Sequence, residues 1–226
     1  MSRSAISLGV GAVMLLCSSA GADPLNLYRT PPDISVSTVY LKYNATSQTL
    51  TVRGKPSSFD IDGVSPIEYD IFFGSFKIDA TVSNAGCPAG GTMEITGALY
   101  STSDYSSPVY NGALLKGSLS EIGYVATPGT LGHNDIFEFL FTTTDGYLAS
   151  YYGGAGSTIG IILDANFASA TTFSGSFSSS FENDKRGYAD VYHVPAPSAV
   201  VLACVGLAGS GGLQWLRQRR RGRSLA

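Results

Sequence analysis

The chain has 226 residues, of which 17 are acidic and 14 basic, with 44% hydrophobic and 11% aromatic side chains and three cysteines. All 17 acids lie between Asp23 and Asp190, whereas Arg3 and five arginines after residue 216 stand outside, so residues 23–193 set 17 acids against 8 bases, a net of −9. That balance argues against nucleic-acid binding, which leans on a basic face, and suits an acidic domain that is soluble outside the cell or meets divalent cations.

Arg3, the apolar run 5–16 and the Ala20-Gly21-Ala22 triplet before Asp23 have the layout of a secretory signal peptide over residues 1–22, with Ala20 and Ala22 marking the signal-peptidase cut. Cys17 follows Leu16 rather than the small residue a lipidation site wants. Cys17 leaves with the signal peptide and Cys204 falls in the C-terminal segment, so Cys87 is expected to stand alone, without an intramolecular disulfide in the exported part. Stability then rests on a hydrophobic core, for which about 170 residues suffice as one domain.

Residues 25–193 read as strands. Residues 34–43 and 49–54 flank an Asn44-Ala45-Thr46-Ser47 turn as a hairpin, and further β-rich runs cover 67–82, 92–101, 113–125, 136–143, 157–164, 171–181 and 188–194. Clusters of Gly, Pro, Ser and Asn separate them, as at 84–91 and 127–130. The eight or nine short strands, rich in Tyr, Phe, Thr and Ser, predict an all-β β-sandwich or jelly roll in preference to a barrel, with a helical turn near 58–62.

Catalytic signatures are sparse. The chain has no G-x-S-x-G elbow, no phosphate loop ending in Gly-Lys and no H-E-x-x-H. Gly153-Gly154-Ala155-Gly156-Ser157 leads into an apolar strand pattern, not the helix a phosphate site needs. His133, His193 and Cys87 are far apart in sequence. The most suggestive polar cluster is Asp60-Ile61-Asp62-Gly63, alternating aspartates before a glycine, which offers hard oxygen ligands to calcium; Glu68 falls one residue short of the position a full calcium loop fills with glutamate. The same four residues also fit a surface turn capped by aspartate side chains.

The C-terminal segment, 194–226, is the most legible part. Val194-Pro195-Ala196-Pro197-Ser198 precedes 18 uncharged residues, 199–216, and then Arg217, Arg219, Arg220, Arg221 and Arg223. The span is close to the roughly 17–25 residues that a bilayer-crossing helix requires, and the arginines hold its end in the cytoplasm. The prolines keep the strip before it extended and accessible to a protease. This order resembles the sorting signal of the PEP-CTERM proteins, with Ala196 where that family usually has Glu. The resemblance, confined to about residues 194–223, implies cleavage by an exosortase-type membrane protease, transit through the inner membrane and delivery to the surface or exopolysaccharide matrix of a Gram-negative-type bacterium. It implies no activity. An ordinary single-pass anchor is the other reading of the same residues.

Three functions are therefore expected as alternatives. The first is a non-catalytic surface or matrix protein processed at its C-terminus, with signal peptidase, the exosortase and exopolysaccharide as partners. The second is a carbohydrate-binding or calcium-dependent adhesion module, in which Tyr151-Tyr152 stack on sugar rings beside Asp60 and Asp62. The third is a secreted hydrolase, needing two acids, or an acid and His133, in one cleft.

Overall fold

The computed structural model describes residues 23–64, 67–125, 134–167, 172–179 and 187–194. The signal peptide, the sorting segment from Pro195 onward and His133 lie outside these residues. No helix among the described residues is long and apolar enough to cross a membrane.

Nine strands are present among the described residues: β1 (Asp33–Asn44), β2 (Thr49–Asp60), β3 (Tyr69–Val82), β4 (Pro88–Ser101), β5 (Tyr110–Val125), β6 (Asn134–Asp145), β7 (Thr158–Asn166), β8 (Phe177–Ser178) and β9 (Gly187–His193). All pairings are antiparallel and run β2-β3-β4-β5-β6-β7-β9-β1, and β1 also pairs with β2, so eight strands close on themselves. The short β8 continues along β1 where β9 ends, through Lys42 and Tyr43. The all-β expectation holds, but the sheet is a closed barrel and not a sandwich or jelly roll.

Closure has a local cause. Strands of 12 to 16 residues must coil to meet, and β1 to β4 do so at irregularities that interrupt the inward alternation. In β1 the inward residues switch from Ile34 and Val36 to Val39, Leu41 and Tyr43, across Thr38 at φ 55°. Next to these irregularities stand glycines with no room for a side chain: a Cβ on Gly54 would lie 2.8 Å from Val36, one on Gly74 2.7 Å from the Thr96 carbonyl oxygen, and one on Gly97 2.6 Å from Ile71. A sandwich needs no such seam of mid-strand glycines; a sheet bending round on itself does.

Inward positions fill the barrel. Phe137, Phe139 and Phe141 form a column on β6 and meet Phe76, Ile95, Leu115 and Ile161 in one buried core. Each such side chain contributes about 1.5–3 kcal/mol by burial. Outward positions carry Arg53, Lys77, Asp79, Glu94 and Lys116, the reverse of a bilayer-spanning barrel's apolar exterior. One end is closed by Tyr43, Tyr124, Phe167, Phe173 and Phe177, edge to face or tilted against one another. The run 171–181 expected as a strand is a turn at 172–175 followed by β8, and residues 58–62 hold no helical turn; the described helical element is a 3-10 turn at Ala149–Tyr152.

Residues 23–32 run outside the barrel as a strap. Glu138, 5% exposed, accepts the backbone N–H groups of Leu25 (2.6 Å), Asn26 (3.1 Å) and Leu27 (2.8 Å). Arg29 pairs with Asp190 at 2.8 Å, and the Thr30 hydroxyl donates to the His193 carbonyl. Gly123 makes the seat possible, since a Cβ there would fall 2.7 Å from Leu25. Cys87, expected to stand alone, is disulfide-bonded.

Candidate functional site at the barrel mouth

The β2–β3, β4–β5 and β6–β7 connections share the end of the barrel opposite the phenylalanine closure. Among the described residues, eight of the twelve exposed large hydrophobic side chains belong to these connections or the strand ends beside them: Val64, Ile67, Phe72, Phe73, Tyr105, Val109, Tyr147 and Tyr151. Such concentration at one end marks a contact surface, because scattered single residues are the norm on a monomer.

Tyrosines ring this mouth. Tyr110, at the start of β5, stacks on Tyr147 with centroids 4.2 Å apart and planes 10° from parallel. Tyr69, opening β3, stacks on Phe59, and Tyr151 meets the same ring edge to face at 5.3 Å. Burial, then the neighbouring Tyr151, Tyr147 and Glu68, raises the Tyr69 hydroxyl pKa above its ordinary value. Gly146 lets the β6–β7 connection fold over the opening: at φ 124° its absent Cβ would meet the Leu114 carbonyl oxygen at 2.5 Å. Tyr147 and Tyr151 each remain 43% exposed, so ring faces stay open to solvent. The expected Tyr151-Tyr152 pair is split, since Tyr152 is fully buried and its hydroxyl donates to the Val191 carbonyl at 3.0 Å. Only Tyr151 faces outward.

The acidic cluster stands on the rim beside these rings. One carboxylate oxygen from each of Asp60, Asp62 and Glu68 lies within 4.8 Å of the others. The β2–β3 connection produces this convergence by folding back, so that Glu68 accepts the Ile61 N–H at 3.0 Å. Asp60 caps the turn by accepting from Asp62 (3.2 Å) and Gly63 (2.8 Å), and Asp62 accepts from Val64 (2.8 Å). The aspartates thus cap a surface turn, and Glu68, out of place in a linear calcium loop, brings a third carboxylate beside them. Oxygens so spaced fit one calcium coordination sphere, whose radius is about 2.3–2.6 Å.

A second acidic group escaped the sequence reading. Asp33 pairs with Asp60 across β1 and β2, and on β9 Asp190 pairs with Ser35, two residues along from Asp33. Burial first, then Asp190 and Asp60, push the Asp33 carboxyl up to about 6, against the lowering effect of Arg29. Burial also raises Asp190, opposed by Arg29. The signal was available only through strand register, because Asp33, Asp60 and Asp190 are far apart in sequence. His193 ends β9, and its carbonyl is held by Thr30.

No family model, curated protein or solved structure matches the chain.

Proposed function

We propose that the chain is an exported, non-catalytic surface or matrix protein whose barrel mouth contacts carbohydrate of the exopolysaccharide layer. The observation that carries this reading is the tyrosine ring, with Tyr147 and Tyr151 both half open beside Tyr69 and Tyr110. A flat aromatic face against the C–H face of a sugar, with hydroxyl and carboxylate groups at the edge, is a recurrent way to hold a neutral glycan. The layout of the two ends supports delivery to that site: a signal peptide over 1–22, and a PEP-CTERM-like segment over 194–226 whose transmembrane helix at 199–216 is removed by an exosortase-type protease. Co-sedimentation of the exported form with purified exopolysaccharide tests the mouth. Tyr147→Ala with Tyr151→Ala is expected to weaken binding about tenfold, near 1.4 kcal/mol; undiminished binding by the double variant rules the mouth out.

A second reading, calcium-dependent adhesion, is favoured by the convergence of Asp60, Asp62 and Glu68 next to the rings. Here calcium joins the three carboxylates to sugar hydroxyls, and glycan binding falls when a chelator removes the ion. The third reading, a hydrolase, draws on Asp33, whose carboxyl holds its proton to about pH 6 beside Asp60. Hydrolysis of the bound glycan that disappears in Asp33→Asn would establish it in place of a binding role.

A further inference from the structure

A second aromatic surface lies on the outward side of β3 and β4 and the β4–β5 connection, beside the mouth's tyrosine ring. At the β3 irregularity between Phe72 and Ser75, two consecutive aromatic residues both reach solvent, where an unbroken strand would turn one of them inward. Phe73 is 96% exposed at φ 54°, a left-handed conformation that a bulky residue adopts only at an energetic cost, and no burial repays it. Phe72 meets Tyr100 edge to face at 5.4 Å and Tyr105 at 6.3 Å. The Tyr105 hydroxyl donates to Asp70 at 2.5 Å, which locks that ring with half its surface open. Ser101, Thr102 and Ser103 place hydroxyls at the edge of the same surface.

We propose that Phe72, Phe73, Tyr100 and Tyr105 form a second saccharide-stacking platform that takes the C–H face of a neutral hexopyranose chain. This rests on the reading of the barrel as a carbohydrate-contact module and extends it to two sites on one molecule. Charge selects the occupant. The ionised groups bonded at the patch are carboxylates, Asp70 under Tyr105 and Asp104 in the β4–β5 connection, within a domain of 17 acids and 8 bases. An anionic bilayer or polyanionic glycan is repelled by such a surface, whereas an uncharged sugar polymer is not. Rigid rings interleaved with hydroxyls also match a sugar, apolar on its C–H face and polar round its rim, better than they match aliphatic lipid. Two platforms on one rigid barrel let a single chain of sugar engage twice, raising effective affinity without new contacts.

The test is native affinity electrophoresis of the exported form through gels containing dextran, hydroxyethyl cellulose or galactomannan. The variants are Phe73→Asn, Tyr147→Ala with Tyr151→Ala, and all three changes together. Asn tolerates the left-handed conformation, so Phe73→Asn keeps the fold, which an unchanged or raised Tm verifies. The expected result is at least fivefold weaker retardation in Phe73→Asn, a further loss in the triple variant, and little change between 50 and 500 mM salt. Wild-type retardation in Phe73→Asn, with the mouth variant weakened, overturns the wall platform and leaves the mouth reading standing. The converse pattern overturns the mouth and keeps the wall. Absence of retardation in the wild type overturns both. A Phe73-dependent shift in sedimentation, or Phe73-dependent capture on phosphatidylcholine vesicles, without retardation by any glycan, assigns the patch to a second copy or to lipid and also overturns the proposal.

Discussion

The Leu25 amide and the Glu138 carboxylate meet at 2.6 Å, and Asn26 and Leu27 donate to the same group, so one side chain anchors the strap to the barrel wall. Charge-assisted hydrogen bonds contribute roughly 1.5–3 kcal/mol each, but these amides regain water when released. Glu138→Ala is therefore expected to cost about 2–4 kcal/mol in urea unfolding. Arg29 should become a rapid trypsin site, because its pairing with Asp190 does not survive an unseated strap. Unchanged tryptic half-life at Arg29 in the variant contradicts the anchor.

Asp33 sets a pH dependence. Its carboxyl is raised to about 6 in the folded chain against an ordinary 3.8, so the native state holds this proton more firmly than the unfolded one. Its contribution to stability is fully present below pH 3.8 and is lost as pH rises through 6. Asp33→Asn removes the ionised group between Asp60 and Asp190, and is expected to raise Tm at pH 7.5 while changing it little at pH 4. Thermal unfolding at the two pH values decides; a variant less stable than the wild type at pH 7.5 contradicts the mutual repulsion.

The glycine seam predicts which small change the barrel refuses. Gly97→Val places a branched side chain where a bare Cβ already lies 2.6 Å from Ile71 and 3.2 Å from Gly74. Overpacking of this kind typically costs about 1–3 kcal/mol. Gly175→Val, where a Cβ meets nothing within 4 Å, is the control and should change stability by less than about 0.5 kcal/mol. Equal destabilisation of both removes the seam as a cause of closure.

These residues also show what the sequence made legible. Residues 34–43 and 113–125 were legible as strands because these β-rich runs are bounded by loops marked with Gly, Pro or Asn. Closure was written in the same sequence, in Gly54, Gly74 and Gly97, but as a packing requirement that appears only once neighbouring strands are in register. The acidic cluster divides in the same way. Asp60 and Asp62 were visible from their spacing, whereas Glu68 joins them through the fold-back of the β2–β3 connection and Asp33 through pairing. Tyr151 and Tyr152, alike as a dipeptide, separate into a surface ring and a buried one because the 3-10 turn points them in opposite directions.

Calcium binding at Asp60, Asp62 and Glu68 gives a thermal readout. Calcium at 100 times its Kd stabilises the native state by about 2.7 kcal/mol, so Tm should rise on titration and return on adding chelator. Glu68→Gln removes one of the three carboxylates and is expected to abolish most of that rise, while keeping an oxygen to accept the Ile61 N–H. A calcium-dependent rise that survives Glu68→Gln places the ion elsewhere, and a flat titration of the wild type removes calcium from the proposed function.

The sorting proposal predicts where the exported chain ends. Protein from the extracellular fraction should end between Val194 and Ser198 by intact mass after reduction. Deleting the exosortase should leave a heavier, membrane-bound chain. A full-length C-terminus in the membrane with the protease present overturns the sorting signal and makes residues 199–216 a permanent anchor.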